Sequence, residues 1–455
     1  ELDEEYQIIP DVLNDNYSYI DGTEITKAAA YPSTYKTANL PDVRNQGSYG
    51  VCWAFSTISL IETNLIKKNL VSNDIDLSEL HLVNYTYNCV NDPLGGLEGD
   101  INKFDTSHGS VMQYGGNVEM AANSLLDWEG AVNEDVVPYT TEYVRQVENN
   151  QLDDSLAYGK DVAHVQNFYR VNTTSKEDIK KAVMDYGAVS ISYWSDQSSN
   201  WSTQYYNSLT AAYYCPEGHT TNHAVNIVGW DDDYPKENFN MELEGDGAFI
   251  CTNSWGENFG DQGYFYVSYY DTNIGVHNIV YTGIEPTDNY DNIYQSDLCG
   301  WVGQIGYGED TAWFANAYKT KTKEELAAAG FYATGAGTEY KIYAARNLPD
   351  RDSTGKEKLH QDHMMEMALN KRILLAEGKM EYTGYYTIPF NEKIVLDQGE
   401  KFAIIVEIKT PDTVHPVAIE YDAGDGIAQV DLTDGEGYLS HNGSLWEHVE
   451  ETQKC

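Results

Sequence analysis

Apolar positions cluster into two kinds of run along this chain. Three have helical length and spacing: Cys52 to about Lys68, Asn117 to about Trp128, and Ser175 to Tyr186. Four later runs have strand length: AVSISYW (188–194), HAVNIVGW (223–230), GAFICTNSW (247–255) and GYFYVSYY (263–270). Helices first and strands afterwards predict an α+β unit over 31–284. IEPTDNYDNIYQ (284–295) is polar and carries a proline, so 285–292 reads as a linker. Beyond it, EYKIYAA (339–345), GYYTIPF (384–390) and KFAIIVEI (401–408) are short, β-branched and aromatic, separated by glycine-bearing turns. That pattern predicts an all-β sandwich over 293–455, with KLHQDHMMEMALNKRILL (358–375) as its one helix candidate. Residues 1–30 are acidic with little apolar periodicity, and read as an N-terminal extension or the remnant of a pro-segment.

Charge narrows the function. With 28 Lys and Arg against 72 Asp and Glu, the net charge is −44. Such a surface repels phosphate backbones and anionic lipid heads, which argues against nucleic acid or a membrane surface as partner. No apolar run reaches the ~18 residues that a spanning helix needs, so no transmembrane segment is expected. No basic, apolar leader follows Glu1, so an export signal, if the protein is secreted, is not part of this chain. The 6 cysteines are too sparse for a disulfide scaffold and lack the close pairs of a structural zinc site. Cys251, inside GAFICTNSW, reads as a buried and inert thiol.

Cys52 is placed differently. QGSYGVCWAF (46–55) sets it between a glycine-bearing loop and the start of an apolar, helix-like run. A cysteine there is compatible with a core residue, half of a disulfide, or a nucleophile. The third reading has a physical basis, because the positive end of a helix dipole lowers a thiol pKa and an adjacent imidazole lowers it further. His223 opens the apolar strand HAVNIVGW, which would hold its backbone rigidly and leave the ring at the strand's edge. Asn253 ends another apolar strand, where it could orient that imidazole, with Trp255 shielding the pair from water.

QGSYGVCWAF, NHAVNIVGW and NSWGENFGDQGYFYV, in this order and with GGN at 115–117 between the first two, resemble the signature blocks of papain-like cysteine peptidases. The resemblance implies a helical lobe plus a β-barrel-like lobe. Carried over position by position, it makes Cys52 the nucleophile, His223 the base and then acid, Asn253 the orienter, and Gln46 a donor to the oxyanion. It places Gly115 and Gly116 alongside an extended substrate, with Trp255, Thr221 and Ala224 as further substrate-binding positions. No cofactor is required for that chemistry. Two departures stand out: Tyr49 and Gln113 occupy the positions where the family usually has two halves of a disulfide. The Cys52–His223 interval also exceeds the usual ~130–150 residues, with extra chain at 91–112; a second insertion at 231–247 widens the next interval.

The segments NIYQSDLCGWVGQIGYGEDTAWFANAYK, EELAAAGFYATGAGTEYKIYAARN, GYYTIPFNEKIVLDQGEKFAIIVEIKTP and GEGYLSHNGSLWEH are similar to the lectin-like domain that follows the peptidase unit in certain surface or secreted proteins of Gram-positive anaerobes. The expectation is a secreted or cell-surface endopeptidase acting on protein or peptide substrates through a thioester. The alternative is a catalytically silent surface protein whose lectin-like domain binds glycan or cell-wall material. The stretch after Lys409 is acidic enough for a structural calcium ion, with no ligand residue assigned.

Overall fold

The computed structural model describes residues 9–10, 31–89, 101–171, 175–196, 200–295, 299–350, 358–422, 428–431 and 437–449. Apart from Ile9–Pro10, which pair with Gly303 and Gln304, the expected N-terminal extension lies outside these residues. The chain divides into two compact units, one made by Asp15–Asn88 with Phe104–Thr287, the other chiefly by Asp288–Cys455.

In the first unit four helices matter: α1 (Cys52–Lys67), α2 (Glu79–Tyr87), α3 (Val118–Leu126) and α4 (Lys176–Tyr186). Ser78, Asn117 and Ser175 cap the last three, their side-chain oxygens accepting from the N–H of His81, Met120 and Asp178. Helix α1 has no such side-chain cap: Val51 precedes it, and the first helical residue is the cysteine itself. The N–H groups of its first turn are therefore not taken by a capping side chain.

Helix α1 is buried on nearly every face, including Ser56, Glu62 and Asn64. Burial of these polar groups is tolerable because each is bonded. Ser56 Oγ lies 2.7 Å from Ser190 Oγ and 2.7 Å from Asn226 Oδ1. Glu62 accepts from Arg44 at 2.8 and 3.0 Å and from the Leu77 N–H at 2.8 Å. Asn64 Nδ2 donates to the Tyr281 carbonyl at 3.1 Å. The Ser56 and Asn64 bonds fix the helix in register on the sheet behind it, and those of Glu62 tie it to the segments around Arg44 and Leu77.

That sheet contains β1 (Thr34–Lys36), β2 (His164–Arg170), β3 (Val189–Tyr193), β4 (Tyr206–Asn207), β5 (Ala212–Tyr213), β6 (His223–Asp231), β7 (Ala248–Thr252), β8 (Tyr264–Ser268) and β9 (Val276–Glu285). Their order is β2-β9-β3-β6-β7-β8-β5-β4, with β1 added on β6. The central strand β6 is buried from His223 to Trp230, which explains its near-continuous apolar sequence. Its first residue pairs with Tyr193 of β3, while the ladder with β7 begins only at Asn226, so the histidine sits at an end of the strand paired on one side. The insertion between β6 and β7 makes a small core of its own from Tyr234, Phe239 and Leu243, packed with Tyr214 and Ala248.

The second unit is β-rich. A six-stranded sheet includes Ile373–Lys379, Glu339–Arg346, Lys401–Lys409, Thr311–Lys319 and Gly437–Ser440, in that spatial order. Lys401–Lys409 shows why its sequence is apolar throughout. Val406 and Ile408 enter a core with Phe331 and Phe390 of the antiparallel pair Glu324–Ala333 and Gly384–Leu396. Ala403 and Ile405, on the opposite face, pack with Met365 and Leu369 of α5 (Lys358–Leu369). A strand covered on both sides loses the alternation of a half-exposed one. The structure is thus an α+β unit followed by a β-rich unit, as the hydrophobic pattern predicts, including the helix within 358–375.

Candidate active site

Two backbone positions define the site: the first residue of α1 and the first residue of β6. Cys52 and His223 occupy them, and the imidazole is hydrogen-bonded to the thiol. The backbone N–H groups of Trp53, on the helix, and Ala224, on the strand, also favour the ionised sulfur. His223 Nε2 lies 2.8 Å from Asn253 Oδ1. With Nε2 engaged there, Nδ1 is the ring nitrogen left for the sulfur.

His223 is buried and Cys52 half-buried, and desolvation alone would push the Cys52 pKa up and the His223 pKa down. Their mutual charge and hydrogen bond outweigh it. The Cys52 thiol is held below the ordinary cysteine value, helped by the two backbone donors. His223 is raised above the ordinary histidine value by Cys52 and by Asn253. Opposite shifts in two groups that act on each other favour a thiolate–imidazolium pair.

Asn253 follows β7, and its own N–H donates to the Gly263 carbonyl at 3.0 Å. Its Oδ1 accepts a second bond, from Ser254 N at 2.8 Å. The Trp255 ring stacks on His223 at 4.8 Å between centroids and 28° between planes. Phe259 meets Trp255 edge-on at 4.9 Å. This aromatic layer covers the imidazole, in keeping with the expected shielding of the pair.

Gln46 is buried and tightly held. Its Nε2 donates to the Tyr49 carbonyl at 2.7 Å, and its Oε1 accepts from Ser254 Oγ at 2.6 Å. Backbone bonds from Gln46 N to Ser254 O (2.8 Å) and from Tyr139 OH to Gln46 O (2.9 Å) complete the anchoring. An amide nitrogen carries two N–H groups, so one remains for a ligand oxygen. Ser254 and Tyr139 were not singled out from the sequence. Ser254 could have been found beside Asn253; Tyr139 carries no local signal.

Gly115 and Gly116 have φ of +98° and +149°, where side chains are strained. At Gly116 a Cβ would come within 2.6 Å of the Trp53 ring, so packing against the residue after the nucleophile already demands glycine there. Thr221 is half-buried just before His223, and Ala224 is buried within β6. Ala224 was expected as a substrate-pocket residue; its backbone N–H also serves the sulfur. In place of the usual disulfide, Gly50 N donates to Met112 O at 2.7 Å and Gln113 Nε2 to Ser48 O at 3.2 Å. Tyr49 rests edge-on against Tyr139. Hydrogen bonds thus join the same two segments.

Comparison with known proteins follows this geometry. The sequence matches the papain family cysteine proteases over residues 30–284 and the lectin like domain over residues 293–455. It is 27% identical over 245 residues to a cysteine protease of Blomia tropicalis, covering 53% of this chain and 62% of that protein. It is 27% identical over 270 residues to cysteine proteinase 15A of Pisum sativum, covering 56% and 65% respectively. The chain therefore spans slightly less than two thirds of these relatives' length. Among solved structures it is similar to the cysteine protease and lectin-like domains of Cwp84, a surface layer associated protein of Clostridium difficile. That match has a TM-score of 0.73 at 26% identity and covers 93% of this chain and 86% of the other. The chain belongs to the papain family of cysteine proteases and carries a C-terminal lectin-like domain.

Proposed function

We propose that this protein is a secreted or cell-surface cysteine endopeptidase that hydrolyses peptide bonds of proteins. The observation that carries the reading is the imidazole of His223 shared between the Cys52 sulfur and Asn253 Oδ1. In the mechanism the Cys52 thiolate attacks the scissile carbonyl carbon, and the carbonyl oxygen becomes an oxyanion. The free Gln46 N–H and the Cys52 backbone N–H stabilise that charge, a contribution of about 3 kcal/mol per donor. The His223 imidazolium gives its proton to the leaving nitrogen as the C–N bond breaks, leaving a thioester on Cys52. The neutral imidazole then takes a proton from water, the resulting hydroxide attacks the thioester, and the acid product departs as the thiolate and imidazolium re-form. The extended backbone at Gly115 and Gly116 would bond a substrate strand alongside.

The surface location draws support from the surface layer associated neighbour and from the lectin-like unit, which would hold the enzyme near glycan or cell-wall material. An epoxysuccinyl inhibitor should label Cys52 stoichiometrically and abolish peptide hydrolysis. Failure to label, together with full activity in Cys52→Ala, would remove this reading. Retention of the isolated chain on purified cell wall, released by soluble glycan, tests the role of the second unit; no retention would discard it.

A further inference from the structure

A second cluster of metal-ligating side chains lies outside the catalytic group, on the segment Cys215-Pro216-Glu217-Gly218-His219 that follows β5 and leads toward His223. Cys215 is fully buried and forms no disulfide. Its Sγ lies 3.5 Å from Glu217 Oε2, and one donor atom each from Cys215, Glu217 and His219 all fall within 4.8 Å of one another. Among the described residues this is the one such set of three. Zinc–ligand bonds of about 2.0–2.3 Å place tetrahedral donor atoms roughly 3.5 Å apart. The sulfur–carboxylate pair already has that separation, and the exposed His219 ring needs only a small approach.

The segment is held from behind. Asp271 Oδ2 accepts from Cys215 N at 2.8 Å, and Asn273 Oδ1 accepts from His219 N at 2.6 Å. Thr272 Oγ1 and Asn273 Nδ2 donate to the Glu217 carbonyl at 2.9 and 2.8 Å. The His219 ring stacks on Trp194 at 4.0 Å. Backbone clamps and outer contacts of this kind orient donor side chains before a metal arrives.

We propose that Cys215, Glu217 and His219 form a three-ligand site for a thiophilic divalent transition metal of the Zn2+ class, with water as fourth ligand. One thiolate, one imidazole and one carboxylate suit such an ion, whereas Ca2+ and Mg2+ require oxygen donors. Binding forms the metal–sulfur bond as the thiol proton passes to solvent. The bound ion would tie together the loop that carries Thr221 and His223, and the proposal does not depend on peptidase activity.

The catalytic thiol and imidazole can themselves bind soft metals, so the test uses the full chain carrying Cys52→Ala. Titrated with Co2+, this protein should take up one equivalent with a sulfur-to-cobalt charge-transfer absorption that Zn2+ displaces and Ca2+ does not. Adding Cys215→Ser should abolish the absorption. Adding His219→Ala, at an exposed position where folding is not at risk, should weaken Co2+ binding by at least about tenfold. No charge-transfer band in the Cys52→Ala protein, a band that survives Cys215→Ser, unchanged affinity in His219→Ala, or displacement by Ca2+ would each overturn the site.

Discussion

The helix tip that carries Cys52 and the strand interior that carries Cys251 place two thiols, one half-buried and one fully buried, in opposite chemical states within one unit. Cys251 lies in β7 opposite Ile227 and Phe265, fully buried. Burial pushes its thiol far above the ordinary range, and nothing there favours the ionised form. Burial acts in the same direction on Cys52, yet the His223 charge and hydrogen bond, with two backbone N–H donors, reverse the outcome. Apolar surroundings therefore do not decide whether a cysteine in this fold is reactive. What decides it is whether donors converge on the sulfur once water has been removed.

The largest way to break this contrast is Cys52→Ala, which should reduce kcat for peptide hydrolysis by ~10^5–10^6-fold, as measured with a fluorogenic peptide. His223→Ala should come close to that loss and should also return the Cys52 alkylation profile toward that of an ordinary thiol. Gln46→Ala should lower kcat by ~10^2–10^3-fold with little change in KM, since its amide acts on the oxyanion. Asn253→Ala removes one bond to a charged imidazole, about 2 kcal/mol, so kcat/KM should fall ~30-fold and the alkaline limb should move to lower pH. Cys251→Ala should leave kcat unchanged and cost about 1 kcal/mol of stability, read as a small drop in Tm. Activity in that variant falling with the Cys52 series would merge the two thiols into one functional class.

The pH dependence follows from the same pair. The Cys52 pKa is lowered and the His223 pKa is raised. The ion pair is therefore populated between the two, and kcat/KM should rise through the first and fall through the second. Because the groups touch, the two limbs belong to the pair and not to either residue.

The sequence made the three helices and four strands of the first unit legible because each is an apolar run of clear period, and several are marked at their ends. Asn117 and Ser175 begin helices as caps, and the apolar run of β6 starts at the histidine. Helix α2 has its cap in Ser78 but no amphipathic pattern behind it. All of Glu79–Tyr87 is buried, and Glu79, His81 and Asn84 inside it hide any polar face. His81 is instead paired with the Leu156 carbonyl at 2.9 Å, a partner far along the chain. The same distance in sequence hid part of the site. Gln46, Cys52, His223 and Asn253 lie in three recognisable blocks, but the Tyr139 hydroxyl that anchors Gln46 belongs to none of them. Likewise the Ala224 N–H acts through its backbone, which a side-chain motif cannot report.

The central claim is that the Cys52 sulfur is ionised at neutral pH by the imidazole beside it. Alkylation of the full chain with iodoacetamide across pH, with modified sites located by mass spectrometry, tests this most directly. Cys52 should react fast with an apparent pKa well below the ~8.5 of a free thiol, and His223→Ala should lift it, while Cys251 stays unmodified in folded protein. A Cys52 profile that rises only above ~8.5, or that is unchanged by His223→Ala, would contradict the account.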